Sequence, residues 1–175
     1  MNITTLISAK EISNRVSELG QDISNDYQGT VILISVLKGS ICFMADLLRS
    51  IDSDVTIEFI SISSYKGAMK GNINLHDNSI EDIQGKHVIL VEDIVDSGRT
   101  LSFLIELLSK RNPKSIDVCT LLDKPARREV EIPLSYIGFE IDDYFVVGYG
   151  LDVNQKYRNL PYIGYVEQQN ILPSG

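Results

Sequence analysis

The sequence predicts an α/β protein: a parallel, twisted sheet flanked by helices. Three observations point there. Strand-like and helix-like segments alternate along the chain; the strand-like segments are near-continuous Val/Ile/Leu runs; and the helix-like segments carry apolar residues three and four positions apart. Continuous apolar runs suit strands covered on both faces, and parallel strands need right-handed crossovers, which the intervening helices supply.

Ile12, Val16, Leu19 and Ile23 recur at helical spacing, so roughly 8–27 forms an amphipathic packing helix. "TVILISV" then reads as a buried strand, "SICFMADLLRSI" as a helix, and "VTIEFISIS" as a second strand rich in β-branched residues. Together these make a β-α-β unit. A third strand, "HVILVED", leads into a helix "TLSFLIELLSKRN" that stops before Pro113, and "SIDVCTLLD" is the next strand. Between strands two and three lies "SYKGAMKGNINLHDNSIEDIQG", with three glycines and little periodicity. A loop of that length in a compact domain is usually functional or disordered, with a β-hairpin flap as the alternative. The C-terminal third changes character: the short aromatic-bearing segments "SYIGFEI", "YFVVGYG" and "LPYIGYVE" are expected to form an edge or a cover.

At 175 residues, 43% hydrophobic and 23% charged, the chain fits one domain able to bury a core without metals or disulfides. No linker, repeat or low-complexity tract interrupts it. The start lacks a basic stretch followed by an apolar one, and no uncharged apolar run is long enough to span a bilayer, so a soluble cytoplasmic protein with no membrane partner is expected. Cys42 and Cys119 lack metal-ligand spacing and read as buried free thiols. A net charge of −8 argues against a broad nucleic-acid surface but leaves room for a small anionic ligand in a pocket of its own potential.

The chemistry concentrates in "VILVEDIVDSGRTL", residues 88–101, where Glu92, Asp93 and Asp96 crowd the carboxyl end of an apolar strand. In open parallel sheets ligands bind beyond such ends. Asp96-Ser97-Gly98-Arg99-Thr100 enters a helix, whose N-terminal amides and hydroxyls can cradle a phosphate. Helix capping by Asp96 or Ser97 and turn relief by Gly98 would explain the turn alone. They leave Glu92 and Asp93 unexplained, because buried carboxylates need a cation or hydroxyl donors. A ribose diol or a hydrated magnesium ion answers both needs.

This stretch resembles the phosphoribosyl pyrophosphate-binding signature of type I phosphoribosyltransferases. "VLKGS", "SSYKG", "LLDKPARR", "FVVGYGLD" and "KYRNLPYIG" follow in the order found in hypoxanthine(-guanine) phosphoribosyltransferases, over about residues 8–168. The resemblance implies a single domain over 1–175 with that fold, a small hood made from terminal segments, and a mobile loop at about 64–85. It implies a magnesium-dependent purine-salvage transferase that joins hypoxanthine, and guanine, to the phosphoribosyl group, and that assembles as a homodimer or homotetramer.

Residue by residue, the resemblance gives Glu92 and Asp93 to the ribose hydroxyls, directly or through magnesium, with Asp152 as a further metal contact. Asp96 matches the general base at the purine N7, and Asp96, Ser97, Gly98, Arg99 and Thr100 match the 5′-phosphate loop. Lys38 and Gly39 match the pyrophosphate loop, in which the family has a cis peptide between the positions of Leu37 and Lys38; Arg158 matches an arginine at the pyrophosphate. Lys124 matches the lysine at the purine 6-oxo group. An ammonium donates and cannot accept, so it favours a carbonyl over adenine's amino group. Phe145 matches the aromatic that stacks on the base, Val146 a backbone contact to its edge, and Ser64 and Tyr65 the closing loop. His76 and His87 read as solvated or structural.

Two rival readings keep most of these motifs: an enzyme preferring xanthine or guanine, and a regulator that senses phosphoribosyl pyrophosphate while binding nucleic acid. The acidic chain, spent on one domain, counts against the second. "GYGLDV" is no dinucleotide fingerprint, and no G-x-x-x-x-G-K-[ST] occurs.

Overall fold

The structure is a computed structural model that describes residues 2–61, 80 and 82–166. A first strand, β1 (Ile3–Ile7), precedes helix α1 (Ala9–Asp26). The helix starts where it does because of a capping box: Ser8 Oγ accepts from the Glu11 N–H at 3.3 Å, and the Glu11 carboxylate accepts from the Ser8 N–H at 2.8 Å. Ile12, Val16, Leu19 and Ile23 form its buried stripe, and it ends at Tyr27, whose backbone is extended. β2 (Val31–Leu37), α2 (Ile41–Arg49) and β3 (Val55–Ser61) follow, then β4 (His87–Val95), α3 (Arg99–Ser109) and β5 (Ser115–Asp123). A 3₁₀ turn at Pro125–Arg127 leads to β6 (Tyr136–Glu140), β7 (Val146–Val147) and β8 (Ile163–Val166).

Five strands form one parallel sheet in the order β3-β2-β4-β5-β6. Its residues alternate between two cores, as the pleat requires. Val31, Leu33, Ile89, Val91, Cys119 and Leu121 pack with the buried faces of α1 and α2 on one side. Ile32, Ile34, Val88, Leu90 and Val118 meet Leu101, Leu104 and Leu108 of α3 on the other. Double coverage explains the unbroken apolar runs, and each buried Leu or Ile contributes roughly 1.5–3 kcal/mol. Cys119 is buried and Cys42 half-buried; both are free thiols. Arg15 of α1 donates to the Ile137 carbonyl at 2.8 Å and to that of Gly138 at 3.1 Å, covering part of the open edge at β6.

A second, three-stranded sheet, β1-β8-β7, is antiparallel and forms the hood. "SYIGFEI" thus divides from the two other aromatic segments: it extends the main sheet as β6, whereas "YFVVGYG" and "LPYIGYVE" supply β7 and β8. β1 had no counterpart in the sequence reading, and the helix expected over 100–112 ends at Ser109, three residues early. His87 sits at the amino end of β4, its Nδ1 2.7 Å from Ser115 Oγ and its ring edge-on to Tyr27, which is a structural role. Among the described residues no helix is long and apolar enough to cross a membrane.

Candidate active site

Topology locates the site. The chain leaves β2 for β3 on one side and places β4 on the other, so a crevice opens beyond the carboxyl ends of β2 and β4. The Leu37–Lys38 peptide at the end of β2 is cis, as the resemblance implies. Lys38 is exposed; the next two residues turn into α2, with Ser40 buried and its hydroxyl 2.7 Å from that of Ser35. Gly39 is pressed from two sides: a Cβ on it would fall on the Asp93 carboxylate, and a Cβ on Gly150 would fall on the Gly39 carbonyl. Gly150 also has a positive φ of 100°, so glycine is needed there twice over. Tyr149 anchors this close approach through its hydroxyl, 2.5 Å from Asp46 Oδ2 on α2.

β4 carries the acidic pair. Glu92 is buried, and burial together with the adjacent Asp93 carboxyl pushes its own carboxyl well above the ordinary carboxylate range. Asp93 Oδ1 accepts from the Ile94 N–H at 2.9 Å. Past the strand the chain turns through Gly98, whose φ of 84° permits the reversal into α3. No side chain caps that helix at Gly98; Ser97 Oγ lies 3.4 Å from the Arg99 N–H. Asp96 does not cap it either: its Oδ1 is buried and has no hydrogen-bond partner among the described residues. The capping alternative therefore fails for Asp96.

Two adjoining cavities meet at Ile94 and Asp96. The first, about 310 Å³, is lined by Glu92, Ser97, Gly98 and Thr100 with apolar β2 and β4 residues. Arg99 is not part of its wall, and its guanidinium forms an ion pair with Glu129. The second, about 490 Å³, is lined by Lys124, Arg127, Asp143, Tyr144, Phe145, Val146, Leu151 and Asp152. Phe145, the residue just before β7, is 41% exposed, so it is a cavity wall and not core. Lys124 is buried just beyond β5, its N–H bonded to the Val95 carbonyl at 3.0 Å and its Nζ 3.5 Å from Asp143 Oδ1. Arg127 Nε reaches the same oxygen at 2.7 Å and holds the Asp143 carboxyl below the usual range. Arg158 bridges Asp152, at 2.7 Å, and the Gly150 carbonyl, also at 2.7 Å.

The structure thus gathers Glu92, Asp93, Asp96 to Thr100, Lys124, Phe145, Val146 and Asp152 at one end of the sheet, with Lys38, Gly39 and Arg158 beside them. Ser64, Tyr65 and His76, and most of the expected mobile loop, lie outside the described residues. Sequence reasoning missed Asp143, Arg127 and Arg128. For Arg127 and Arg128 the available signal was the charged run that directly follows an apolar strand in "LLDKPARR"; Asp143 lies outside it.

Comparison with known proteins agrees with this geometry. Residues 4–154 match the family model described as phosphoribosyl transferase domain. Hypoxanthine phosphoribosyltransferase of Escherichia coli K12 is 47% identical over 169 residues, covering 94% of this chain and 95% of that protein. Hypoxanthine-guanine phosphoribosyltransferase of Bacillus subtilis is 46% identical over 165 residues, covering 93% and 92%. A crystal structure of a hypoxanthine-guanine phosphoribosyltransferase from Bacillus anthracis, with a HEPES molecule in its active site, superposes with a TM-score of 0.89 at 48% identity, covering 95% of this chain and 100% of that one. With a switch-point crevice, an acidic pair and a glycine turn into α3 on the same strand end, and relatives matching over nearly their whole length, the chain belongs to the phosphoribosyltransferase family.

Proposed function

We propose that the protein is a purine-salvage enzyme that transfers the 5-phosphoribosyl group from phosphoribosyl pyrophosphate to N9 of hypoxanthine, and of guanine, giving the nucleotide and pyrophosphate. One observation carries this reading: Asp96, with a buried and unpartnered carboxylate oxygen, stands in the wall shared by a cavity on a helix N-terminus and a cavity holding a buried lysine and an exposed phenylalanine. The first suits a 5′-phosphate, the second a flat base with a carbonyl.

In this reading the amides and hydroxyls of Ser97 to Thr100 anchor the 5′-phosphate. Glu92 and Asp93 hold the ribose hydroxyls, Phe145 stacks on the base, Val146 meets its edge through the backbone, and Lys124 donates to the 6-oxo group. Lys38, Gly39 and Arg158 receive the pyrophosphate. The C1′–O bond to pyrophosphate breaks with its electron pair leaving on that group. N9 bonds to C1′, and the purine's N7 proton passes to Asp96. Proximity and a positioned base are the main contributions, because clamping the sugar removes the entropy of bringing the three groups together.

Oxygen donors at Glu92, Asp93 and Asp152 suit magnesium, which takes one or two carboxylates and fills its shell with substrate oxygens and water. Among the described residues no group of three or more acidic, His or Cys side chains forms an all-protein cage, and Glu92 and Asp93, two carboxyls side by side, fit a site completed by substrate. Held by these carboxylates, magnesium would supply positive charge against the pyrophosphate. We place the enzyme in the cytoplasm as a homodimer or homotetramer, measurable by sedimentation.

The test is to incubate the protein with magnesium, phosphoribosyl pyrophosphate and each of hypoxanthine, guanine, xanthine and adenine. Nucleotide should form with hypoxanthine and guanine; none with any base would sink the reading. Asp96→Asn should lower kcat by roughly 10²–10⁴-fold with nucleotide binding kept. Turnover near that of the unaltered enzyme would return Asp96 to a structural role.

A further inference from the structure

The loop that turns from β4 into α3 is held from behind by one segment. The Val95 carbonyl accepts from the Lys124 N–H at 3.0 Å, and the Ser97 carbonyl accepts from the N–H groups of Glu129 and Val130, both at 3.0 Å. Between them, the Asp96 carbonyl accepts from Arg128 Nε at 3.1 Å. A loop whose carbonyls are tied on one side can turn its amides to the other. The backbone bonds of this strap could form with many side chains at 128; the bond to Asp96 needs Arg128 itself.

Arg128 does more than close one bond. Its NH2 group makes an ion pair and hydrogen bond with Asp123, the last residue of β5, and the two side chains are only 12% and 9% exposed. The guanidinium therefore spans the ends of β4 and β5, joining the strand that leads to the anion loop to the strand that leads to Lys124. Its stem also closes under the turn, since a Cβ on Gly98 would stand 3.1 Å from Arg128 Cδ. A planar guanidinium presents two donors in a fixed fork, which a lysine's single nitrogen cannot copy across two acceptors.

We propose that Arg128 is a positioning residue for the transfer reaction. It fixes the main chain at Asp96 relative to the end of β5, and so sets the separation between the 5′-phosphate cradle and the lysine that reads the base. This rests on the reading of residues 96–100 as the phosphate loop. A ligand that carries phosphate and purine together, the nucleotide product, senses that separation; pyrophosphate, held by Lys38, Gly39 and Arg158, does not.

The experiment measures nucleotide binding by calorimetry, and the KM for magnesium pyrophosphate in the reverse reaction at saturating nucleotide, for the unaltered enzyme, Arg128→Lys, Arg128→Ala and Thr100→Val. Arg128→Lys should weaken nucleotide binding about tenfold or more, the scale of a charge-assisted hydrogen bond. Its KM for pyrophosphate should stay within about twofold, and millimolar guanidinium should restore part of the loss in Arg128→Ala, whose removed side chain leaves a matching space. If Arg128→Ala fails to fold, Arg128→Lys alone decides. Unchanged nucleotide affinity in Arg128→Lys, or equal losses for nucleotide and pyrophosphate, would overturn the positioning role. Thr100→Val separates the two readings. A loss there with none in Arg128→Lys leaves the phosphate loop standing and removes Arg128; no loss in Thr100→Val removes both.

Discussion

Replacing Lys124 with glutamine tests how the base is read. The Lys124 side chain is 9% exposed, and its one ionic partner among the described residues, Asp143, stands at 3.5 Å, the limit of a hydrogen bond. At least two of its three N–H donors are thus available to a ligand. A hydrogen bond from a charged donor at such a sheltered position contributes roughly 1.5–3 kcal/mol, or about 10- to 150-fold in an affinity or specificity constant. A glutamine amide both donates and accepts, so it can meet a 6-amino group as well as a 6-oxo group. We expect kcat/KM for hypoxanthine and guanine to fall by that factor in Lys124→Gln, while adenine stays level or gains. Steady-state assays with the three bases at saturating phosphoribosyl pyrophosphate measure it. Equal losses for all three, or no loss for hypoxanthine, would refute the reasoning.

Two further outcomes follow from the acidic strand end and its neighbour. Glu92 has a raised native pKa, so the native state keeps a proton that the unfolded chain releases above about pH 4.3. Its contribution is full below that pH and lost as pH rises through the native value; Glu92→Gln should flatten the fall of ligand-free Tm between pH 5 and 8, and parallel slopes in the two proteins would exclude this. Gly39→Ala drives a Cβ into the Asp93 carboxylate, an overpacking that costs roughly 1–3 kcal/mol, visible as a Tm lowered by several degrees and a raised KM for phosphoribosyl pyrophosphate. An unchanged Tm and KM would show that the turn has room to spare.

Much of the main sheet could be read from local pattern. Strand "SIDVCTLLD" matches β5 residue for residue, and the stripe of Ile12, Val16, Leu19 and Ile23 that places a helix over roughly 8–27 is the buried face of α1. Such features are local: a run is apolar because both its faces are covered, and a helix stripe is set by residues three and four apart. What escaped is non-local. Ile3–Ile7 carries no strand signal strong enough to stand alone, because it becomes a strand by pairing with Ile163–Val166. Tyr149 and Gly150 gain their meaning from Asp46 and Gly39, more than a hundred positions away. The candidate site divides in the same way. Glu92, Asp93 and Asp96 announce themselves by crowding charge on an apolar strand, whereas Phe145 looks like core until its 41% exposure in a cavity is seen. Arg128 and Asp143 act through partners on other elements, and no spacing along the chain reveals that.

The pairing of β1 with β8 sets an order of completion. As the chain emerges from the ribosome, the first strand made has to wait for the last described one, and β7, which follows directly on Phe145, has no antiparallel neighbour until β8 arrives. The five-stranded sheet, with the turn from β4 into α3, can be assembled once Glu140 is out; the cavity wall at Phe145, whose carbonyl accepts from the Val166 N–H, cannot be fixed until Val166 is. A nascent chain can therefore hold a folded β4–α3 turn while the wall at Phe145 is still open, and the two adjoining cavities are finished at different moments of synthesis.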